Sequence, residues 1–264
     1  MIIEVPYFKY TNKYKIWLFE NRDVVRKWNI KLKVYDGIPG SPWNGGRIPE
    51  DTPIPENYPV SFALTNHTID DMNHPESLRV LTEYHKKGNT LIISNLELAA
   101  HLRKLFPLYD QIYSITHFDI SKGWEAYKEI ESKFEYIVPR NEIVDQEALG
   151  LVNSKQYIIL FSHECSYCPL YNDHYRTIGQ IIKDGGDTDL YRCWFKERDL
   201  LERAGYDPSI YEGYKYMNSK RFHKKLIKID PRSIAGYKVG RNHQTWFKVE
   251  DELRDIVEVL NEFY

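Results

Sequence analysis

Apolar positions in this chain gather into short runs: "IIEVPY" (2–7), "KLKVYDG" (31–37), "VSFALTN" (60–66), "TLIISN" (90–95), "QIYSIT" (111–116), "FEYIVP" (134–139), "YIILFSH" (157–163), "KLIKID" (225–230) and "GYKVGR" (236–241). Several are near-continuously apolar and β-branched rather than alternating, the pattern of parallel strands covered on both faces. Helical patterns lie between them. "HPESLRVLTEYHKKG" (74–88) has Pro75 and Glu76 at its start and Gly88 at its end, the expected asymmetry of helix ends. "NLELAAHLRKLFP" (95–107) opens on an Asn cap, carries an apolar stripe at helical spacing and stops at a proline, and "KVEDELRDIVEVLNEF" (248–263) is amphipathic.

Repeated strand–helix alternation predicts a parallel α/β domain. About eight such units in one chain suit a (β/α)8 TIM-like barrel, with a doubly wound open sheet as the alternative. Nine runs are one too many for the barrel, so either the first run or 225–230 is an accessory. The stretch 165–224 is too long for a simple strand-to-helix connection and predicts an insertion after the seventh strand. That insertion would carry the cysteine loop and extra helices, with "DGGDTD" (184–189) as a turn. The chain, 1–264, reads as a single domain with this one insertion.

Composition narrows the class. Hydrophobic residues make up 42% and charged residues 28% of the 264, the balance of a globular protein with one large core. A net charge of -2 leaves no general electrostatic footprint for nucleic acid, although a local basic mouth is compatible with it. No apolar stretch approaches the ~20 residues a membrane helix needs, so no membrane partner is expected. Three cysteines, an odd number, argue against a disulfide framework and for a reducing, cytoplasmic setting. There, clustered thiols are ligands or nucleophiles more often than cross-links.

The polar residues that follow each run gain meaning from the barrel. Its strands all end at one face, where active sites are built. Those positions carry Arg47 in "SPWNGGR", Asn66 and His67, Asn95, His117, Arg140, then His163, Glu164 and Cys165, and finally Arg241. Strands end in polar loops in any protein, so the weight lies in the set rather than in any one position. "SPWNGGR" reads either as a structural turn or as an anion or substrate loop; it lacks the spacing of a phosphate-binding fingerprint. His67 and His117 are acid–base candidates because histidine titrates near neutrality. Arg47, Arg140 and Arg241 suit a carboxylate or phosphate.

"FSHECSYCPLYNDHY" (161–175) concentrates metal-binding side chains. Cys165 and Cys168, two residues apart, can share one ion, and Cys193 with His174 would complete a Cys3His zinc site. Three thiolates could instead hold an iron–sulfur cluster. The alternatives are a reactive thiol, Cys165 paired with His117 or His163, or ordinary thiols with Cys193 buried as a small apolar residue.

The order of segments resembles the collagenase-like peptidases, whose strands and loops read roughly "AVYxG" then "R", "TLN", a helix ending "LRELFP", "VLxRE", "FVHGxxCxxxxGRC" and "FKIxGR". The matching stretches here are "KVYDG…WNGGR", "ALTN", "LELAAHLRKLFP", "IVPRNEI", "LFSHECSYCPLYNDHY" and "YKVGR". The resemblance spans nearly the whole chain on short, loosely matched motifs. It implies that "IIEVPY" is the first barrel strand and 225–230 the accessory. It also implies that His163, Cys165 and Cys168 occupy the signature loop, and that Arg47, Asn66, Arg140 and Arg241 match motif positions. The family's iron–sulfur version uses four cysteines where this chain has three, and Asn141 stands where the family has Glu. Members are called peptidases, and relatives hydroxylate tRNA bases or act in oxygen-independent hydroxylation during quinone biosynthesis. The expectation is a metal- or iron–sulfur-dependent enzyme acting on a small-molecule or nucleic-acid substrate. A peptidase using Cys165 or a bound metal, and a non-catalytic barrel that has lost its cofactor, are the alternatives.

Overall fold

The computed structural model describes residues 1–7, 12–45, 57–114, 116, 125–141, 144, 155–161, 170–187, 202–203, 205, 228–240 and 246–263. Eight strands run β1 (Ile2–Pro6), β2 (Lys31–Asp36), β3 (Val60–Leu64), β4 (Thr90–Ile93), β5 (Asp110–Tyr113), β6 (Tyr136–Ile137), β7 (Ile158–Leu160) and β8 (Gly236–Lys238). All neighbours are parallel, in the order β6-β5-β4-β3-β2-β1-β8-β7. A single bridge between Ile137 and Tyr157, with the Ile137 N–H donating to the Gln156 carbonyl at 2.8 Å, brings β6 to the start of β7. The result is a nearly closed barrel-shaped sheet with helices between its strands, as the (β/α)8 reading expects. The outer strands of this order are β6 and β7, and the bridge between them distinguishes the sheet from the open doubly wound arrangement, whose two outer strands never meet. The first run is thus a barrel strand. Within 225–230, the described residues 228–230 turn into a short 3-10 helix, Pro231–Ser233, and add no strand.

Helices α1 (Asn12–Glu20), α2 (Arg22–Lys27), α3 (Pro75–Glu83), α4 (Leu96–Leu105), α5 (Glu125–Glu131), α6 (Tyr171–Lys183) and α7 (Trp246–Glu262) complete the described elements. The Asn95 side chain caps α4, its Oδ1 accepting from the N–H groups of Glu97 and Leu98 at 3.0 and 2.9 Å. Helix α3 stops at Glu83, short of the Gly88 that its sequence pattern suggests. The cause is Asn89, fully buried, whose side chain donates to the Tyr84 carbonyl and accepts from the Val60 N–H, both at 2.9 Å. That clamp pulls residues 84–89 out of the helix and onto the barrel floor, with Gly88 at φ +101° making the turn.

Strand alternation divides the core in two. Val34, Phe62, Leu64, Leu91 and Ile93 point outward and pack with Leu81, Leu98, Leu102, Leu253 and Ile256 of the helices. Fully burying each such side chain contributes about 1.5–3 kcal/mol, so this outer belt carries most of the stability. The smaller inner cluster holds Tyr35, Ala63, Ile92, Ile112, Val138, Ile158 and Leu160.

Beneath Tyr35, Ala63 and Ile92 the barrel interior turns polar. The Lys238 ammonium sits 2.7 Å from Glu4 Oε2 and 3.8 Å from the centre of the Tyr35 ring. The Ser61 hydroxyl donates to Glu4 Oε1 at 2.5 Å and lies 2.5 Å from the Thr90 hydroxyl. Burial pushes the Glu4 carboxyl up, but the charge and hydrogen bond of Lys238, the Ser61 hydroxyl and Lys33 outweigh it and hold the group below its ordinary 4.5. A depressed carboxylate stabilises the fold above its unfolded value and loses that contribution as the pH falls through the folded one. Glu4→Gln is therefore expected to lower stability at neutral pH by about 3 kcal/mol, since it strands a buried ammonium. In urea unfolding, its deficit against the unsubstituted chain should shrink as the pH drops below 4.5. A deficit that stays constant into acid would refute the pairing.

Candidate functional site at the barrel mouth

The loops after β2 and β3 are built before any ligand is considered. Trp43 is fully buried, with its indole N–H donating to the Asp71 carbonyl at 2.7 Å. Asn44 folds back on Ile38, accepting from its N–H at 3.0 Å and donating to its carbonyl at 2.6 Å. Gly37 and Gly45 leave no room for a Cβ, which would stand 2.9 Å from Asn44 and 2.3 Å from the Thr65 hydroxyl. The described part of "SPWNGGR" is thus a packed turn; Arg47 lies outside the described residues.

Asn66, 1% exposed, ties three segments together. Its amide NH2 donates to the Pro42 carbonyl at 2.7 Å and to the Gly179 carbonyl of α6 at 3.2 Å. Its Oδ1 accepts from the Thr68 N–H and hydroxyl at 2.9 and 3.1 Å. A Cβ on Gly179 would come within 2.3 Å of that oxygen, so the glycine is what lets the helix approach.

Helix α6, which follows the cysteine-bearing stretch, crosses the mouth. At its first residue the Tyr171 ring packs into the inner cluster and carries the Arg140 guanidinium 3.9 Å from its centre, at the end of β6. Midway, Tyr175 stacks on His67 from the end of β3, with centres 6.3 Å apart and planes at 24°. At its far end Lys183 reaches Asp70 at 2.7 Å, and this hydrogen bond holds the Asp70 carboxyl below its ordinary value. Since β3 and β6 stand three places apart in the sheet, the helix spans the rim rather than packing outside the barrel.

The rim is polar and enclosed. Arg140 is 2% exposed, and its backbone N–H donates to the Tyr127 hydroxyl at 2.9 Å. Asn141 beside it donates from Nδ2 to the Leu160 carbonyl at 3.4 Å, while its buried Oδ1 has no hydrogen-bond partner among the described residues. Ser94 at the end of β4 is buried, and its hydroxyl likewise has none. Ser114 and Thr116 extend the polar row along β5, their hydroxyls 3.1 Å apart.

Of the expected site residues, Asn66, His67, Arg140 and His174 all meet on α6 or belong to it. Asn95 serves as the cap of α4. His117, His163, Glu164, Arg241, Cys165, Cys168 and Cys193 lie outside the described residues. Among the proposed metal ligands only His174 is described. It stacks on Tyr175, with centres 5.2 Å apart, and burial drops its imidazole to about 4. The ring is therefore neutral at physiological pH, the form that ligates a metal, so the donor present fits such a centre. Among the described residues no group of three or more His, Cys, Asp or Glu side chains is gathered, and no helix is long and apolar enough to cross a membrane.

Glu4, Lys33 and Lys238, charges buried inside the barrel, do not stand out in the sequence because they sit inside apolar runs. A charge in the middle of a run that should be covered on both faces was the available signal. Set against protein-family models, curated proteins and solved structures, the chain matches none.

Asn66→Ala should cost about 2–4 kcal/mol in thermal or urea unfolding, because it strips the Pro42 and Gly179 carbonyls and the Thr68 N–H of their side-chain partner. Unchanged stability would instead mark Asn66 as a residue held for substrate.

Proposed function

We propose that this chain is a metal- or iron–sulfur-dependent enzyme related to the collagenase-like peptidases, acting at the barrel mouth on a nucleic-acid or small anionic substrate. The observation that carries the reading is Arg140, a guanidinium enclosed at the rim with its carbon 3.9 Å from the centre of the Tyr171 ring. A cation oriented in advance by an aromatic face suits a carboxylate or phosphate. The same Tyr171 opens the helix that follows the stretch with Cys165 and Cys168, so anion recognition and sulfur donors are close in the chain. Cys165, Cys168 and Cys193, with His174 or His163, would hold the centre. When bound, an iron–sulfur centre supplies electrons and a zinc ion supplies Lewis acidity. This chain's own residues orient the substrate: Arg140 takes its anionic group, the adjacent Asn141 Oδ1 offers an acceptor, and the Ser94 hydroxyl after β4 offers a donor on the same rim. His67 is the acid–base candidate on the opposite side of the rim.

A non-catalytic binding barrel is the second reading. It is favoured by Tyr171, 2% exposed and seated with Leu160 and Val138 where an open pocket would otherwise lie.

Elemental analysis and an absorption spectrum of chain purified without oxygen separate the two. The enzyme reading expects bound iron with visible absorption, or bound zinc, lost in the Cys165→Ala, Cys168→Ala double variant. A normally folded chain with no bound metal would refute it and leave the binding barrel.

A further inference from the structure

Parallel barrels fill their interiors with Val, Ile and Leu, as Ile112 on β5, Val138 just after β6, and Ile158 and Leu160 on β7 do here. In the same interior stand Lys238, Glu4, Lys33, Ser61 and Thr90, from five consecutive strands of the ring, β8 and β1 to β4. Desolvating three charges costs far more than a leucine would. Lys33 is 5% exposed and makes no ion pair or hydrogen bond among the described residues; burial holds it below its ordinary value, against the pull of Glu4 and Asp110.

The geometry is that of an activated nucleophile. Such a group lies within hydrogen-bond reach of a base, and a third group orients that base. Lys238 Nζ is 2.7 Å from Glu4 Oε2. Ser61 holds the other carboxylate oxygen at 2.5 Å and is backed by Thr90. Tyr35 is itself fixed, its hydroxyl donating to the Val239 carbonyl at 2.7 Å, so its ring stays against the ammonium. A second ammonium near an enclosed lysine is a known means of making the free amine available. Access falls to the right partner: the Lys238 side chain keeps 11% of its surface exposed and Glu4 none. The flanking inward positions are Gly236 on β8 and Gly240 just beyond it, so this segment sends only Lys238 into the barrel.

We propose that Lys238 is a Schiff-base-forming lysine, with Glu4 as its proton acceptor and donor, for a small aldehyde or 2-oxo acid. Glu4 takes a proton from the Lys238 ammonium, and the amine nitrogen attacks the carbonyl carbon. A C–N bond forms as the C=O π bond breaks, and one proton passes from the new ammonium nitrogen to the oxygen to give a neutral carbinolamine. The nitrogen lone pair then expels that hydroxyl, which leaves as water with the proton returned from Glu4. The net change is ammonium plus carbonyl compound to protonated imine plus water, with no oxidant or reductant. Charge is equal on both sides, so Glu4 and the Tyr35 ring serve the iminium as they served the ammonium.

The test needs no cysteine and no metal, so its outcome is separate from that of the mouth. The full chain is incubated with pyruvate and sodium cyanoborohydride, digested, and its reduced adducts are mapped by mass spectrometry. Labelling of Lys238 is expected to exceed the mean for exposed lysines by about tenfold. Glu4→Gln should slow it by about 100-fold, the usual worth of a positioned acid–base group. In guanidinium the preference should vanish. Absence of adduct at Lys238, or labelling no faster than at exposed lysines, overturns the proposal. The map of the unsubstituted chain decides this even where Glu4→Gln fails to fold.

Discussion

Glu4 and Lys238 are separated by 234 positions in sequence and by 2.7 Å in space. Their strands are the first and last of the ring, and the Val239 N–H donates to the Glu4 carbonyl at 2.8 Å as part of the same seam. Burying both charges is affordable only when each meets the other in good geometry and the remaining lone pairs are filled. Ser61 supplies one such bond to Glu4, and Tyr35 supplies an aromatic face to Lys238. Slipping β8 by one residue would put Lys238 in the outer apolar belt and an apolar side chain opposite Glu4. The pair thus favours one register at the seam where no short turn can set it.

The same closure creates the mouth. Once β1 and β8 meet, all eight strand ends face one way and loops far apart in sequence become neighbours. Helix α6 exploits this by lying across the rim, gripping Arg140 through Tyr171 and the β3 loop through Gly179 and Lys183. The bond from Asn66 to Gly179 spans 113 positions and is possible only because the glycine has no Cβ. A candidate anion site at the rim and a candidate amine site deeper inside are two consequences of one architecture. One uses residues at strand ends, the other residues within the strands.

Much of the architecture was legible from pattern. The runs at 2–7, 31–37, 60–66 and 90–95 each contain a strand, since a β-branched stretch covered on both faces has few other stable arrangements. Asn95 announced its helix by capping chemistry that acts over three residues. The early end of α3 was not legible, because the tie that stops it joins Asn89 to Tyr84 and to Val60 on another strand. At the site, Arg140, His67 and Asn66 stood out because they follow apolar runs. Glu4 and Lys238 stood within such runs, where a lone charge reads as an interruption until its partner is known.

Local chemistry within this sequence therefore determined where strands and helices form, which faces are apolar, and that the strands run parallel. Periodicity and capping depend on residues only a few positions apart, so they are written in the order of the chain. Which charge neutralises which, which polar side chain becomes a staple, and where α6 lies were decided only by the closed ring. Those outcomes depend on distances between residues more than a hundred positions apart, and only packing sets such distances.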